Sequence, residues 1–220
     1  MKTKDWKSLE TATALVIGHD PRLQKSDTVA QYALFADYIF NPKPIKPSEK
    51  KKYELAKATF DQVRDLTNDQ INPNTVYVTN LCNNSLTHAP VGKTVLINEI
   101  EAKEGYQNIL QILHDNPTIE YVFPMSLQVN YWLQKLGLYK SNNDFVRFSE
   151  PKEIGLQNDP PYFQPLRQGT FTLICGNLYE AINGHQKVIP ILHSKNYPLN
   201  GKFLVAYGSS YDRIRKLFHK

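Results

Sequence analysis

The stretch Ala14-Leu15-Val16-Ile17-Gly18-His19-Asp20-Pro21 is the strongest indication of the fold. An apolar run that includes two β-branched residues is followed at once by a glycine, a histidine and a carboxylate. A short apolar run bounded by turn residues is typical of a buried strand in a parallel sheet. Ligands of such sheets bind beyond the carboxyl ends of the strands, so His19 and Asp20 are expected at the mouth of a crevice.

A second apolar run lies near the other end of the chain. It reads Val188-Ile189-Pro190-Ile191-Leu192 and is followed by His193-Ser194-Lys195-Asn196. Because the carboxyl ends of parallel strands meet at one edge of a sheet, the carboxylate of Asp20 and the imidazole of His193 are expected in one cleft. Such a pair is typical of a site for acid–base chemistry.

Strand-like and helix-like segments alternate along most of the chain, which predicts a parallel sheet with right-handed crossovers. The fold class is therefore α/β, a three-layer α/β/α arrangement around a central, mostly parallel, four-stranded sheet. The predicted strands cover residues 12–18, 75–79, 119–123 and 188–192. The predicted helices cover residues 28–39, 49–66 with Ser48 as its cap, 105–113, 126–136 and 209–218.

The remaining region, 140–186, has a weaker pattern and is interpreted as an elaboration of one domain that covers 1–220. Residues 170–174 fit a short strand there. The chain of 220 residues is long enough for one complete core. It has no apolar stretch that approaches a membrane span and no apolar segment of a secretory signal, so we expect a cytoplasmic protein without a membrane partner.

Few residues of the chain suit a metal or a cofactor. Cys82 and Cys175 are the two cysteines, and they indicate reduced thiols in a cytosolic protein. The histidines lack the spacing of a metal site, and two cysteines cannot ligate a four-cysteine iron–sulfur cluster. The sequence Gly92-Lys93-Thr94 lacks the earlier glycine of a phosphate-binding loop. We therefore expect no metal and no cofactor.

Positive charge is unevenly placed on a chain whose formal net charge is +5. Residues 187–220 hold seven Lys or Arg and one acid, and residues 43–52 hold five lysines and one acid. Clustered basic residues are typical of proteins that bind a polyanion. Charge alone leaves open whether these clusters bind nucleic acid or form a solvated surface.

Four segments, in this order, resemble motifs of the uracil-DNA glycosylase superfamily. Gly18-His19-Asp20-Pro21-Arg22-Leu23 resembles the first motif, GQDPYH, and the proline-rich run 42–48 falls where the family has a loop that presses on DNA. Val78-Thr79-Asn80-Leu81 resembles the strand that ends in the base-reading asparagine. His193-Ser194-Lys195-Asn196-Tyr197-Pro198-Leu199 resembles the second motif, HPSPLS, with extra residues before its Pro-Leu pair. The resemblance is to a member without an iron–sulfur cluster.

The resemblance implies hydrolysis of the bond between a base and its sugar in DNA. Asp20 would orient and deprotonate water, and His193 would donate a hydrogen bond to the leaving base. Asn80 would pair with one edge of the base, because a carboxamide both donates and accepts. Gly18 and His19 would line the base site, and Phe35 is the nearest candidate for an aromatic stacking platform, ahead of three neighbours: Tyr32, Tyr38 and Phe40.

The same resemblance implies contacts with DNA and a monomeric enzyme. Leu199 would be the wedge that fills the gap left by the extruded base, with Tyr197 as the second candidate. The other expected DNA contacts are Ser194, Lys195, Ser48 and Arg22. The basic residues of the terminal segment would meet phosphates.

Two interpretations of a different kind stay open. Arg22 and Leu23 stand where the family has tyrosine and histidine, so a non-catalytic nucleic-acid or nucleobase-binding protein is the alternative. A hydrolase of free nucleosides would use Asp20 and His193 without a basic surface. Each site residue also has an ordinary structural role available: a turn before proline for Asp20, and strand-end hydrogen bonds for Asn80 and His193.

Overall fold

The computed structural model describes residues 4–8, 10–19, 32–41, 44–82, 94–95, 97–141, 152–153, 162–164 and 169–219. Its strands are β1 (Ala14–Gly18), β2 (Val76–Asn80), β3 (Thr94–Val95), β4 (Tyr121–Pro124), β5 (Lys152–Glu153), β6 (Tyr162–Gln164), β7 (Tyr179–Glu180) and β8 (Lys187–Val188). Its helices are α1 (Asp37–Phe40), α2 (Lys50–Leu66), α3 (Glu99–Asp115), α4 (Leu127–Lys135), α5 (Gly169–Ile174) and α6 (Gly201–Leu217).

The main sheet has five strands in the order β2-β1-β4-β8-β7. The first four are mutually parallel, and β7 pairs with β8 in the antiparallel sense. The α/β class predicted from the sequence is confirmed, but the four-stranded sheet is corrected to a mixed sheet of five. The extra strand, β7, has two residues, which is too short to give a periodic signal.

Helices cover both faces of the sheet. The alternate residues of β1 divide between two cores: Ala14 and Val16 pack in the core beneath α2 and α6, and Leu15 and Ile17 pack in the core beneath α3 and α4. Successive side chains of a strand point to opposite faces, so a strand covered on both sides is apolar throughout. This is why the run at 14–17 lacks any polar alternation.

The region 140–186 contributes the fifth strand and part of a separate three-stranded antiparallel sheet in the order β3-β6-β5. The short strand expected at 170–174 is wrong, because α5 occupies this stretch. Phe171, Ile174 and Cys175 are buried, whereas Leu173 is 45% exposed. Buried positions three and four residues apart are the period of a helix, so packing against the core outweighs the β-prone composition.

Two predicted helices differ in how they begin. The predicted helix 28–39 is not continuous over its described part, because Leu34 and Phe35 have left-handed φ angles of 51° and 56° within the 3₁₀ segment Ala33–Phe35 that precedes α1. Ser48 does not cap α2. The Glu49 carboxylate accepts hydrogen bonds from the Lys46 backbone N–H at 3.4 Å and from the Tyr38 hydroxyl at 3.1 Å. The bond to Lys46 closes the 3₁₀ turn Pro47–Glu49 that precedes α2.

The helices predicted at 105–113 and 209–218 begin earlier in the structure than their apolar periodicity indicates. Helix α3 begins at Glu99, and α6 begins at Gly201. Neither cysteine forms a disulfide, and both are buried. Within the described ranges, no helix combines the length and apolar character needed to cross a bilayer.

Candidate functional site

The carboxyl ends of the parallel strands gather at one edge of the sheet. Gly18, the last residue of β1, lies opposite Asn80, the last residue of β2. On the other side of β1, the Met125 N–H donates to the Ile17 carbonyl at 2.9 Å, and the following N–H, of Ser126, donates to Ile191 at 3.1 Å. The chain therefore leaves β1, β2, β4 and β8 at one edge of the sheet, where ligands of α/β sheets bind, and this edge is the candidate crevice.

Asn80 carries the most unusual side chain at this edge. The residue is 1% exposed, yet neither Nδ2 nor Oδ1 has a hydrogen-bond partner among the described residues. Burial of a carboxamide without partners is costly, and a buried polar group in this state is rare in folded proteins. The carboxamide thus has both its donor and its acceptor available for a ligand.

His19 is held by a residue that no sequence motif identifies. The ring is 8% exposed, and its Nε2 lies 2.5 Å from Nε2 of Gln128 on α4. The Gln128 Oε1 accepts from the Ile97 N–H at 2.6 Å, so its NH₂ group faces the imidazole. His19 Nε2 is therefore the acceptor, and the neutral ring carries its proton on Nδ1. Gln128 has no local signal, because only the packing of α4 brings it to β1.

His193 has the opposite tautomer. Its Nδ1 accepts a hydrogen bond from the Lys195 backbone N–H at 3.1 Å, and the residue caps the 3₁₀ turn Ser194–Asn196. With Nδ1 occupied as an acceptor, the neutral imidazole has its proton on Nε2. Half-buried at the crevice edge, His193 is a hydrogen-bond donor without needing to be charged.

Leu34, one of two consecutive residues with left-handed backbone, lies against the end of β1. A Cβ built on Gly18 would lie 2.6 Å from Cδ2 of Leu34, which places this residue against the end of β1. The next residue, Phe35, is half-buried but, unlike Leu34 and Phe40, does not pack on either core. Left-handed backbone at non-glycine residues is uncommon and concentrates at functional sites. Phe35 directly follows Leu34 in the chain and stays the predicted stacking aromatic.

The remaining predicted site residues differ in their surroundings. Asp20 and Arg22 lie outside the described residues. Ser194 is 3% exposed and Lys195 is exposed. Ser48 is exposed in the 3₁₀ turn before α2.

The two wedge candidates are both partly buried against the core beneath α2 and α6. The Tyr197 hydroxyl donates to Asp65 on α2, and burial together with this carboxylate raises the pKa of the phenol. That bond ties Tyr197 to the protein, so Leu199 is the better of the two wedge candidates.

The basic residues of the terminal segment divide between two ends of the molecule. The Phe218 ring, directly after α6, contacts Tyr121 at the start of β4, with centroids 5.1 Å apart. Helix α6 therefore begins near the crevice and ends at the opposite edge of the sheet. Arg213 and Lys216 lie toward that far end, so the contact of the whole terminal segment with phosphates stays a prediction. Lys195 and Lys202 are exposed on the crevice side.

A cavity of about 290 Å³ lies away from the crevice. Its lining includes Leu113, Leu138 and His185. These residues come from the end of α3, the end of α4 and the hairpin before β8, so the cavity faces the amino ends of the strands. Within the described ranges, no cluster of three or more His, Cys, Asp or Glu side chains suits a metal ion.

Comparison with known proteins leaves the family open: no protein-family model matches the chain, and no curated protein matches it. The function is therefore inferred from the crevice residues.

Proposed function

We propose that this protein is a DNA glycosylase of the uracil-DNA glycosylase type, which hydrolyses the N-glycosidic bond of uracil or a related base flipped out of DNA. The observation that carries the proposal is the buried carboxamide of Asn80, which has no partner among the described residues, at the carboxyl edge of the sheet. A pyrimidine edge presents an adjacent acceptor and donor, which a carboxamide can satisfy at once. A ligand of this kind would remove the cost of the two unpaired atoms.

The tautomer of His193 supports the same reaction. Cleavage of the glycosidic bond leaves negative charge on the base, and a preorganised donor at that oxygen typically contributes roughly 10²–10³ in rate. The Nδ1 bond from Lys195 orients the imidazole so that Nε2–H is the donor. A neutral donor is sufficient for this role.

Asp20 is the proposed group that orients and deprotonates water. It directly follows His19, whose carbonyl accepts from the Cys82 N–H at 2.9 Å and whose ring is held by Gln128. The residue before Asp20 is therefore held through both its backbone and its side chain. A positioned carboxylate also stabilises the positive charge that develops on the sugar.

The base and the DNA would be held by residues around this pair. Phe35 would stack on the base, Leu199 would fill the gap in the duplex, and Lys195 would meet the backbone. DNA is therefore the proposed partner, and the reaction as proposed needs only these side chains and water.

The test is an excision assay on single- and double-stranded oligonucleotides that carry uracil, hypoxanthine or a thymine mismatch, with alkali to reveal abasic sites. We expect the wild-type protein to release uracil. Asp20→Asn is expected to lower the rate roughly 10²–10⁴-fold and His193→Ala roughly 10²–10³-fold. His185→Ala, at the cavity on the far edge, is the matched control and is expected to keep full activity.

Absence of base release from every substrate, with DNA binding intact and sensitive to salt, would overturn the enzymatic proposal in favour of a binding protein. Release from free nucleosides without DNA affinity would instead indicate a nucleoside hydrolase. Equal losses for His185→Ala and His193→Ala would show that the assay reports folding and not catalysis.

A further inference from the structure

The turn between β4 and α4 holds a serine in a backbone conformation that favours glycine. Ser126 has φ 76° and ψ 159°, a region that other residues seldom occupy because the Cβ is crowded there. Such strain persists only where neighbouring groups fix the backbone, and it concentrates at sites that bind ligands.

Buried hydrogen bonds fix this turn. The Nδ2 of Asn130 donates to the Pro124 carbonyl at 3.1 Å and to the Ser126 carbonyl at 2.7 Å. The Tyr139 hydroxyl donates to Oδ1 of Asn130 at 2.6 Å, which sets the orientation of the carboxamide. The strained conformation of Ser126 is therefore imposed from α4.

Within the described part of the protein, the hydroxyl of Ser126 forms no hydrogen bond. Its Oγ is buried and has no partner among the described residues. A serine at the start of a helix ordinarily accepts from a backbone N–H of the first turn, and Ser126 does not do so. Strain and a missing hydrogen bond thus occur at one residue, in the turn that follows the middle strand of the main sheet.

The position of this residue relates it to the crevice. Pro124, the last residue of β4, pairs with Ile17 of β1. The next residue, Met125, forms a bridge with Ile191 on the opposite side of β4. Ser126 comes next, between the segments that lead to His19 and to His193. A base that spans from Asn80 to His193 would lie over the ends of β1 and β4.

We propose that Ser126 is a further base-binding residue, whose hydroxyl donates a hydrogen bond to a carbonyl oxygen of the flipped pyrimidine. This inference rests on the proposed function and adds a contact from the middle of the sheet. The imposed turn fixes Ser126 at the carboxyl edge of the sheet, and the bound base supplies the acceptor for its hydroxyl.

The test measures free uracil, both as an inhibitor of excision and as a ligand in calorimetry. Ser126→Ala keeps the strained backbone and removes the hydroxyl, whereas Ser126→Gly removes both. We expect each substitution to weaken uracil binding roughly 2- to 10-fold, the effect of one neutral hydrogen bond. Ser126→Gly is also expected to raise Tm by about 2–4 °C, because the strain is relieved. If Ser126 had only a structural role, Ser126→Gly would not show weaker uracil binding together with a higher Tm.

Ser141→Ala is the matched control. The Ser141 hydroxyl donates to Oε1 of Gln134 at 2.8 Å, just beyond the far end of α4. We expect a lower Tm and unchanged uracil affinity. Wild-type affinity in both Ser126 variants overturns the assignment of Ser126 alone. A wild-type protein that neither excises nor binds uracil overturns the proposed function and this contact together.

Discussion

The carboxamide of Asn80 lies so close to Gly18 that a Cβ built on the glycine would meet Oδ1 at 2.3 Å. The two residues are register partners at the ends of β2 and β1. The missing side chain of the glycine therefore makes room for the carboxamide, and the two positions form one element of the candidate site.

Gly18→Ala is expected to displace Asn80 and to abolish uracil excision. The added methyl group would also meet Leu34, so we expect the free energy of unfolding to fall by about 1–3 kcal/mol, as for an overpacked core. Denaturant unfolding and the excision assay measure the two effects. Gly208→Ala on α6, where the nearest side-chain atom is 3.3 Å away, is the control and is expected to stabilise the helix. Full activity of Gly18→Ala would contradict the close approach.

Asn80→Leu is expected to give a more stable but inactive protein. Leucine has the same branched shape and removes two buried polar atoms that have no partners among the described residues, so the free energy of unfolding should rise by about 1–3 kcal/mol. Uracil binding should be lost because the base edge has no partner. Thermal unfolding and calorimetry with uracil test both statements. A destabilised Asn80→Leu would indicate that the carboxamide has a structural hydrogen bond.

Gln128→Leu is expected to destabilise the protein, because it removes the hydrogen bonds to the Ile97 N–H and the His19 Nε2. The expected cost is about 1–3 kcal/mol for each buried group. Gln128→Glu keeps an acceptor for Ile97 but requires His19 to donate. Nitrogen NMR of the imidazole should therefore show the proton on Nδ1 in the wild type and on Nε2 in Gln128→Glu. The same tautomer in both proteins would refute the role assigned to Gln128.

Substitution of lysines on the crevice side is expected to change the salt dependence of DNA binding. Lys195→Gln and Lys202→Gln should each reduce the slope of log K against log salt by about 1 for every phosphate that the lysine neutralises. Arg213→Gln and Lys216→Gln, toward the far end of α6, should leave the slope unchanged. Equal effects from both pairs would place the DNA along the whole helix.

Alkaline pH is expected to destabilise the protein through Tyr77. Burial, together with Asp5, raises the pKa of its phenol to about 12, whereas an unfolded tyrosine titrates near 10. The native state holds the proton longer, so this contribution is complete below about pH 10 and is lost as the pH rises toward about 12.

Tyr77→Phe should reduce the loss of unfolding free energy between pH 10 and pH 12 by about 1 kcal/mol, after allowance for partial exposure. Denaturant unfolding at both pH values measures it. At pH 7 the variant should differ from the wild type only by the weak hydrogen bond to Asp5, 3.5 Å long. An unchanged loss would assign the alkaline transition to other tyrosines.

Local sequence is sufficient to specify the α/β class and the ends of β1 and β2, whereas the strand predicted at 188–192 is confined to Lys187–Val188. Residues 14–17 are apolar on both faces, and a strand covered on both faces must lie inside a layered sheet. In the parallel pairing of β1 with β2, the register places Gly18 opposite Asn80. The apolar runs of the sequence therefore predict that Gly18 and Asn80 lie at the same edge of the sheet.

The fifth strand, the helical state of residues 169–174, and the roles of Gln128 and Ser126 follow instead from tertiary packing. They depend on contacts between residues far apart in the chain, which leave no local period. Arg213 and Lys195 belong to one basic segment of the sequence. In the structure most of α6 lies between them, because Lys195 precedes the helix and Arg213 is near its end. A sequence records the kinds of side chain that are present, and packing fixes which of them share a surface.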